Sequence, residues 1–265
     1  MNILFFGDIV GRNGREVVLD NLFMLKEKYD VDLIIANGEN SAHGKGITSK
    51  IYGQFISAGI DVITLGNHAF SKSEILTDID KLERLVCPYN HENKPSEALD
   101  YVIINVKGLR VCIFNVLCNF GMNSVNMSPF EAIDKLLADT KNKADIFIVD
   151  LHGESTAEKR LVAEYYKDKI QAVLGTHTHV QTADERIIGN LAFISDVGMC
   201  GVYDSIIGRD ISECINAQVN KEKTHYTIAE GPAQLNAVVI KIDEVERKSI
   251  DIKRIFIRPE DSELK

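Results

Sequence analysis

The chain has 265 residues, of which 45% are hydrophobic and 26% are charged, a balance that leaves room for a large apolar core. Its formal net charge of -9 and its pI of about 5.3 exclude a strongly basic surface of the kind that binds long nucleic acid. An anionic substrate would therefore need bound cations to attract it locally.

Cysteine usage and the N-terminus both indicate a cytoplasmic protein. The 5 cysteines form an odd set without a Cys-x-x-Cys pair, which favours reduced, packed thiols over disulfides. The apolar run 3–6 is too short for a signal peptide, and it has no basic residues before it. No run approaches the roughly 18 apolar residues of a membrane span, so we expect no membrane association.

Strands and helices alternate in the first half of the chain. Apolar runs typical of buried strands are NILFFGD (2–8), VDLIIANGEN (31–40) and DVITLGNH (61–68). Helical spacing of apolar residues separates them at 14–29 and 48–59, the second ending at Gly59. This order predicts βαβ units with parallel strands.

The second half adds hairpins to this pattern. Residues 101–118 hold two strand-like runs around Lys107-Gly108, and 128–142 read as a helix capped by Ser128. The remaining strand-like runs are 144–154, 171–179, 186–198, 233–243 and 249–257, with a helical pattern at 156–169. We therefore predict a single α/β domain over 1–265, in which two mixed sheets pack together with helices outside. The polar segment 208–231 is predicted as a long loop or small insertion.

Five predicted strands end in residues that bind metals or transfer protons. These residues are Asp8, Glu39, Asn40, Asn67, His68, His152, His177 and His179. Sites in α/β folds form outside the carboxyl ends of the strands, so we expect these side chains to meet. Each motif alone is more often a turn, a helix cap or a buried histidine, except His177-Thr178-His179, which already favours a metal site.

The donor types indicate which metals would suit such a site. If the chain stays extended after Gly175, His177 and His179 point to one face. Imidazole, carboxylate and amide oxygen suit Mn, Fe or Zn, and the absence of thiolates disfavours a closed structural zinc site. Among the other histidines, His43 lies in a glycine-rich loop near the site, where solvation is the default, and His91 and His225 are predicted as exposed loop residues without a role.

The ordered motifs resemble those of the calcineurin-like metallophosphoesterases. Two departures stand out: Val10 replaces the histidine of the usual Asp-x-His motif, and Glu39 replaces the aspartate of the usual Gly-Asp motif. With FFGDIVGRNGR, NGENSAHGKGI and GMCGVYDSIIG, these departures resemble the YmdB-type branch of cytoplasmic bacterial phosphodiesterases. The resemblance implies a four-layer α/β/β/α sandwich and hydrolysis of cyclic nucleotides, 2′,3′-cyclic mononucleotides and by extension 3′,5′-cyclic ones.

The resemblance also implies roles for single residues. Glu39 would bridge two metal ions, Fe or Mn favoured and Zn a further candidate, and a metal-bridging hydroxide would attack phosphorus. One ion would be completed by Asp8, Asn40 and His179, and the other by Asn67, His152 and His177. Asn40 would compensate for the histidine absent at Val10.

Catalytic and substrate residues are expected beside these ligands. His68 is the candidate that supplies a proton to the leaving oxygen, with Asp196 as a suggested partner. His43 and Tyr203 are candidate substrate contacts, although the segment 198–205 fits a tight structural loop equally well. A phosphomonoesterase or phosphoprotein phosphatase on the same site, and a nucleotide-sensing scaffold without turnover, remain alternatives. A homo-oligomer is left open, with 208–231 as a candidate interface.

Overall fold

A computed structural model describes residues 1–261 and follows the predicted alternation of strands and helices. The strands are β1 (Asn2–Phe6), β2 (Asp8–Ile9), β3 (Leu33–Asn37), β4 (Val62–Thr64), β5 (Leu85–Val86), β6 (Tyr101–Val106), β7 (Leu109–Leu117), β8 (Ile146–His152), β9 (Ala172–Thr176), β10 (Arg186–Ile188), β11 (Leu191–Ile194), β12 (Met199–Val202), β13 (Ala233–Asp243) and β14 (Lys248–Ile257). The helices are α1 (Gly11–Lys28), α2 (Ser49–Ala58), α3 (Ser73–Asp78), α4 (Pro129–Thr140), α5 (Thr156–Tyr166) and α6 (Ile211–Gln218).

The strands form two mixed sheets. One runs in the order β2-β12-β13-β1-β3-β4-β5, with β14 also paired to β13, and the other in the order β10-β11-β9-β8-β7-β6. Within them β1, β3 and β4 are parallel neighbours, as are β7, β8 and β9. Parallel neighbours end at the same edge of a sheet, which brings the residues that follow these strands together.

Three apolar layers make this a four-layer sandwich. Phe5 and Ile35 of the first sheet share the central core with Ile148 of the second. The outer face of the first sheet packs against α1 and α2 through residues such as Leu22 and Phe55, while the second packs against α4 and α5 through Leu136 and Val162 among others. The predicted α/β/β/α architecture is confirmed.

Several local predictions are also confirmed. The β6–β7 hairpin is antiparallel, and the Ser128 hydroxyl caps α4 by accepting from the Glu131 amide. Helix α2 ends at Gly59, whose φ of 107° is one that few other residues adopt. Within the described residues, 1–261, no helix is long and apolar enough to cross a membrane. All five cysteines are free and buried.

Several short strands and two helices, α3 and α6, were not predicted. The strands β2, β5 and β12 are too brief to give a periodic signal. The polar segment 208–231 is not loop throughout, because α6 occupies its first part. Asp210 caps that helix by accepting from the Glu213 amide, so the Asp-x-x-Glu spacing was a readable signal.

Candidate metal centre and substrate cavity

The ends of five strands bring the predicted ligands to one place. Asp8 follows β1, Glu39 and Asn40 follow β3, and Asn67 follows β4. From the second sheet, β8 ends at His152, and His177 directly follows β9. The cluster thus sits where the carboxyl edges of both sheets meet.

Glu39, Asn67, His152 and His177 form the first group. The Nε2 atom of His152 lies 2.9 Å from Asn67 Oδ1, 3.1 Å from His177 Nδ1 and 3.2 Å from Glu39 Oε1. Ligand atoms of Glu39, His152 and His177 all lie within 4.8 Å of one another. Four nitrogen and oxygen donors therefore converge on one small volume.

Asp8, Asn40 and His179 form the second group. His179 Nε2 lies 3.8 Å from Asp8 Oδ1 and 3.1 Å from Asn40 Nδ2. Asn40 Nδ2 also lies 3.1 Å from Glu39 Oε1, which places Glu39 between the two groups. Rotating the Asn40 amide by half a turn exchanges its nitrogen with Oδ1, the atom that could bind a cation.

All three clustered histidines have one ring nitrogen held by another group. His152 Nδ1 lies 2.9 Å from the Thr176 hydroxyl, which donates at 2.6 Å to the buried carboxylate of Asp150. His177 Nε2 lies 3.4 Å from Glu154, and His179 Nδ1 donates to the carbonyl of Ile207 at 2.8 Å. In metal sites such contacts fix the imidazole so that its other nitrogen faces the ion.

Glycine is required at position 66 by the close approach of two ligands. A Cβ atom there would collide with Glu39 Oε2 and with the His152 ring. The Gly-Asn-His sequence therefore combines a predicted ligand, Asn67, with the clearance that Glu39 and His152 need.

Buried charge dominates the electrostatics of the cluster. Burial raises the pKa of Asp8 to about 6, against the lowering effect of His179 and His152. Burial also acts to raise the pKa of Glu39, but His152 outweighs it and the net pKa is lowered. For His152 the charge of Glu39 overcomes burial and raises the pKa to about 9. Buried carboxylates thus need a positive partner, which a bound cation would supply in place of a proton.

The chain turns sharply where extension was expected. His177 and His179 have φ values of 107° and 65°, so the expectation of an extended chain after Gly175 is wrong. Both side chains nevertheless face the cluster, because the turn redirects them. Strained non-glycine residues of this kind concentrate at functional sites.

A buried ion pair supports this turn. Lys159 Nζ, fully buried on α5, donates to the carbonyl of Thr176 at 2.8 Å and lies 3.1 Å from Asp196. Asp196 in turn accepts from the amide of Thr178 at 2.9 Å, so the pair holds both sides of His177. The suggested pairing of Asp196 with His68 is wrong, because its carboxylate is used here.

His68 lies beside the ligands. Its backbone amide donates to Glu39 Oε2 at 3.0 Å, and its side chain lines a cavity of about 380 Å³ over the cluster. Burial lowers the pKa of its imidazole, against the raising effect of Glu39. A neutral imidazole still carries one N–H group that can donate a hydrogen bond.

The wall of this cavity contains residues that the sequence did not single out. Lys45, Arg209 and Tyr226 line it together with the ligands. The Lys45 ammonium and the Arg209 guanidinium lie 5.1 and 4.7 Å from the centre of the Tyr226 ring. Arg209 is paired with Glu213, whereas Lys45 has no ion pair within the described part of the chain. No motif marks these residues, since they meet only through folding.

The other sequence candidates lie around the site. His43 is exposed in a neighbouring depression lined by Arg12 and Ile228, and Tyr203 lines a second cavity of about 340 Å³ next to His179. Their substrate contacts stay predictions.

His225 is exposed as expected, but the expectation of an exposed His91 is wrong. His91 is buried against Phe70, with its Nε2 atom 3.4 Å from the Asn67 carbonyl.

The donor set fits metal ions. Asp8 Oδ1 is buried and has no hydrogen-bond partner, and it lies 3.8 Å from His179 Nε2. An unpaired buried carboxylate oxygen costs free energy that a cation would recover. Carboxylate, amide and imidazole donors suit Mn, Fe and Zn.

Comparisons with known proteins agree with this geometry. Residues 4–255 match the family model described as YmdB-like protein. The chain is 41% identical over 259 residues to the 2′,3′-cyclic-nucleotide 2′-phosphodiesterase of Bacillus subtilis, covering 97% of each chain. It superposes with a TM-score of 0.89 on a novel phosphatase from Mycoplasma pneumoniae, at 33% identity over 100% of this chain and 95% of that one. A hypothetical protein from Thermus thermophilus gives the same TM-score at 32% identity, with 97% and 99% covered.

The class defined by fold and site is that of the metallophosphoesterases, and the prediction of a phosphoesterase enzyme is confirmed. Within that class the chain belongs to the YmdB-like family, as predicted.

Proposed function

We propose that this chain is a two-metal phosphodiesterase that hydrolyses 2′,3′-cyclic nucleotides at the bond to O2′. The observation that carries the proposal is the convergence of seven nitrogen and oxygen donors at the strand ends, with one ring nitrogen of each histidine held by another group. The 41% identical relative, named for this substrate and this bond, supports the choice of ester.

Each donor has a proposed place. Glu39 would bridge two ions. The first ion would be completed by Asp8, Asn40 and His179. The second would be completed by Asn67, His152 and His177. When bound, the two cations supply Lewis-acid activation of water and neutralise charge on the phosphoryl oxygens. The grouping of the donors, with Glu39 between the two sets, supports this division.

The chain's own residues handle the proton and the substrate charge. The water oxygen forms a bond to phosphorus and releases a proton, the bond from phosphorus to O2′ breaks, and O2′ takes up a proton, so that the net transfer of one proton is from water to O2′. His68, at the edge of the cavity, would donate its N–H to O2′ as charge develops there. Lys45, unpaired within the described chain and placed in the same cavity, would attract the phosphate of the substrate.

Turnover coupled to metal analysis tests the proposal. We expect two metal ions per chain and conversion of 2′,3′-cyclic AMP to adenosine 3′-phosphate. Saturation below two ions would contradict the two-metal site, and formation of the 2′-phosphate would contradict the choice of bond. The same assay with 3′,5′-cyclic AMP tests the extension to that substrate.

The alternatives give different results. A phosphomonoesterase would cleave p-nitrophenyl phosphate at a rate comparable with the bis(p-nitrophenyl) diester, whereas the proposed enzyme prefers the diester. A sensing scaffold would keep its function in a His68→Ala variant that has lost turnover. The cytoplasmic location and the oligomeric state stay predictions.

A further inference from the structure

A second cavity adjoins the one over the metal ligands. It has a volume of about 340 Å³, and His179 and Ile207 line both cavities. Since His179 Nδ1 donates to the Ile207 carbonyl at 2.8 Å, these two residues form a shared wall. A ligand whose phosphate lies over the metal ligands could place its other end beyond that wall.

Two side-chain amides that line this cavity each have one buried atom without a hydrogen-bond partner. Asn236 is 1% exposed, and its Oδ1 accepts from Gln234 Nε2 at 3.0 Å, which leaves Nδ2 without a partner. Gln181 Nε2 donates to the carbonyls of Val197 and Ala237 at 3.1 and 3.2 Å, which leaves Oε1 without one. These bonds fix both amides, so the cavity has one spare donor and one spare acceptor.

Both amides pack against the same glycine. A Cβ atom on Gly198 would lie 2.6 Å from Asn236 Oδ1 and 2.9 Å from Gln181 Cβ. The two side chains therefore lie next to each other in the wall of the cavity. Leaving Asn236 Nδ2 and Gln181 Oε1 unpaired costs free energy, which a ligand with a matching acceptor and donor would recover.

Aromatic side chains complete the cavity. Tyr203 and Phe256 line it and are 37% and 41% exposed, which leaves their rings available for stacking. Aromatic rings next to an amide donor and acceptor are the groups that recognise nucleobases, because every base has a flat face and polar edges.

We propose that this second cavity binds the nucleobase of the substrate, with Tyr203 stacking on the base while Asn236 and Gln181 pair with its edge. The inference rests on the proposed function, because it assumes a nucleotide whose phosphate lies over the metal ligands. The alternative is that the base stacks on Tyr226, which lines the first cavity, over the metal ligands.

A comparison of two substrates tests the assignment. Tyr203→Ala is expected to raise the KM for 2′,3′-cyclic AMP by about 5- to 100-fold, the loss typical of one stacked base, with kcat little changed. The KM for bis(p-nitrophenyl) phosphate, which has no base, should stay within about twofold. Phe256→Ala should act in the same direction, and it keeps the assignment testable if Tyr203→Ala prevents folding.

The matched control is Tyr226→Ala, which should affect both substrates alike because its side chain lies over the phosphate cavity. A selective loss of cyclic nucleotide binding in Tyr226→Ala, or equal effects of Tyr203→Ala on both substrates, would overturn the assignment.

If the proposed function is wrong, a different result is expected: the wild type would cleave bis(p-nitrophenyl) phosphate but not 2′,3′-cyclic AMP. Calorimetry with adenosine 3′-phosphate and inorganic phosphate then decides the base site. If the wild type binds adenosine 3′-phosphate no more tightly than inorganic phosphate, the base site is overturned. If the wild type prefers the nucleotide and Tyr203→Ala loses that preference, the base site is supported.

Discussion

The buried cluster of predicted ligands and the cationic and aromatic side chains over it come from different parts of the chain. Asp8, Glu39 and His152 are almost fully buried and lie at the ends of strands that the core holds in place. Lys45 and Tyr226, by contrast, are exposed and come from loops. The difference indicates that the predicted ligands are held by a rigid frame, whereas the charged and aromatic side chains over them belong to segments that can vary without disturbing that frame.

The largest expected effect comes from changing the ligand between the two groups. Glu39→Gln keeps the shape of the side chain but removes its charge, so both metal ions should bind more weakly, by more than about 100-fold. Asn40→Ala should weaken mainly one ion, since Asn40 lies beside His179 rather than His152. Metal titration followed by elemental analysis measures both, and equal losses in the two variants would remove the asymmetry between the groups.

A second prediction concerns a substitution that displaces Glu39 and His152 without removing either side chain. In Gly66→Ala the new methyl group collides with Glu39 and His152, so the metal content should fall to less than about half of the wild-type value. The matched control is Gly53→Ala, where nothing lies within 4 Å. That change should keep both ions and leave the stability equal or higher by up to about 1 kcal/mol, since alanine favours a helix. Full metal content in Gly66→Ala would show that the cluster tolerates movement.

A change at His68 should lower the catalytic rate without changing metal binding. His68→Ala is expected to lower kcat for 2′,3′-cyclic AMP by about 10²- to 10⁴-fold, because the leaving oxygen loses the N–H group that donates a hydrogen bond to it as charge develops. Metal content should stay at the wild-type level, since the side chain is not among the proposed ligands. A wild-type rate in this variant, with both ions present, would exclude the proposed role.

The buried ion pair should have a smaller effect on metal affinity. Lys159→Met leaves Asp196 buried without its partner, which should destabilise the fold by roughly 3–5 kcal/mol and weaken metal binding about tenfold by loosening the turn at His177. Lys167→Met is the matched control, because Lys167 lies at the exposed end of the same helix. Denaturant unfolding measures the stability, and unchanged metal affinity in Lys159→Met would show that the turn holds its shape without this pair.

The two regions also differ in how far the sequence predicts them. Asp8, Glu39 and His152 were predictable because a buried strand followed by a polar residue is visible in the local pattern. The conformation at His177 was not, because it depends on Lys159 and Asp196, which meet only in the folded chain. Contacts between distant segments have no local signal.

The same reason explains the errors at single residues. The polar surroundings of His91 suggested exposure, but Phe70 and the Asn67 loop cover it. Tyr226 went unnoticed because only the fold brings it against Lys45. Helix α6 was a different failure, since the cap at Asp210 was readable, but the helix is only 8 residues long and lies in a polar segment.

Locating the metal ions in crystals of the wild-type protein is the decisive test of a two-metal centre that shares Glu39. Anomalous diffraction collected at the absorption edges of Mn, Fe and Zn should show two ions per chain, one within each group of ligands and both touching Glu39. A single ion at saturating metal concentration, or ions bound away from Glu39, would contradict the account.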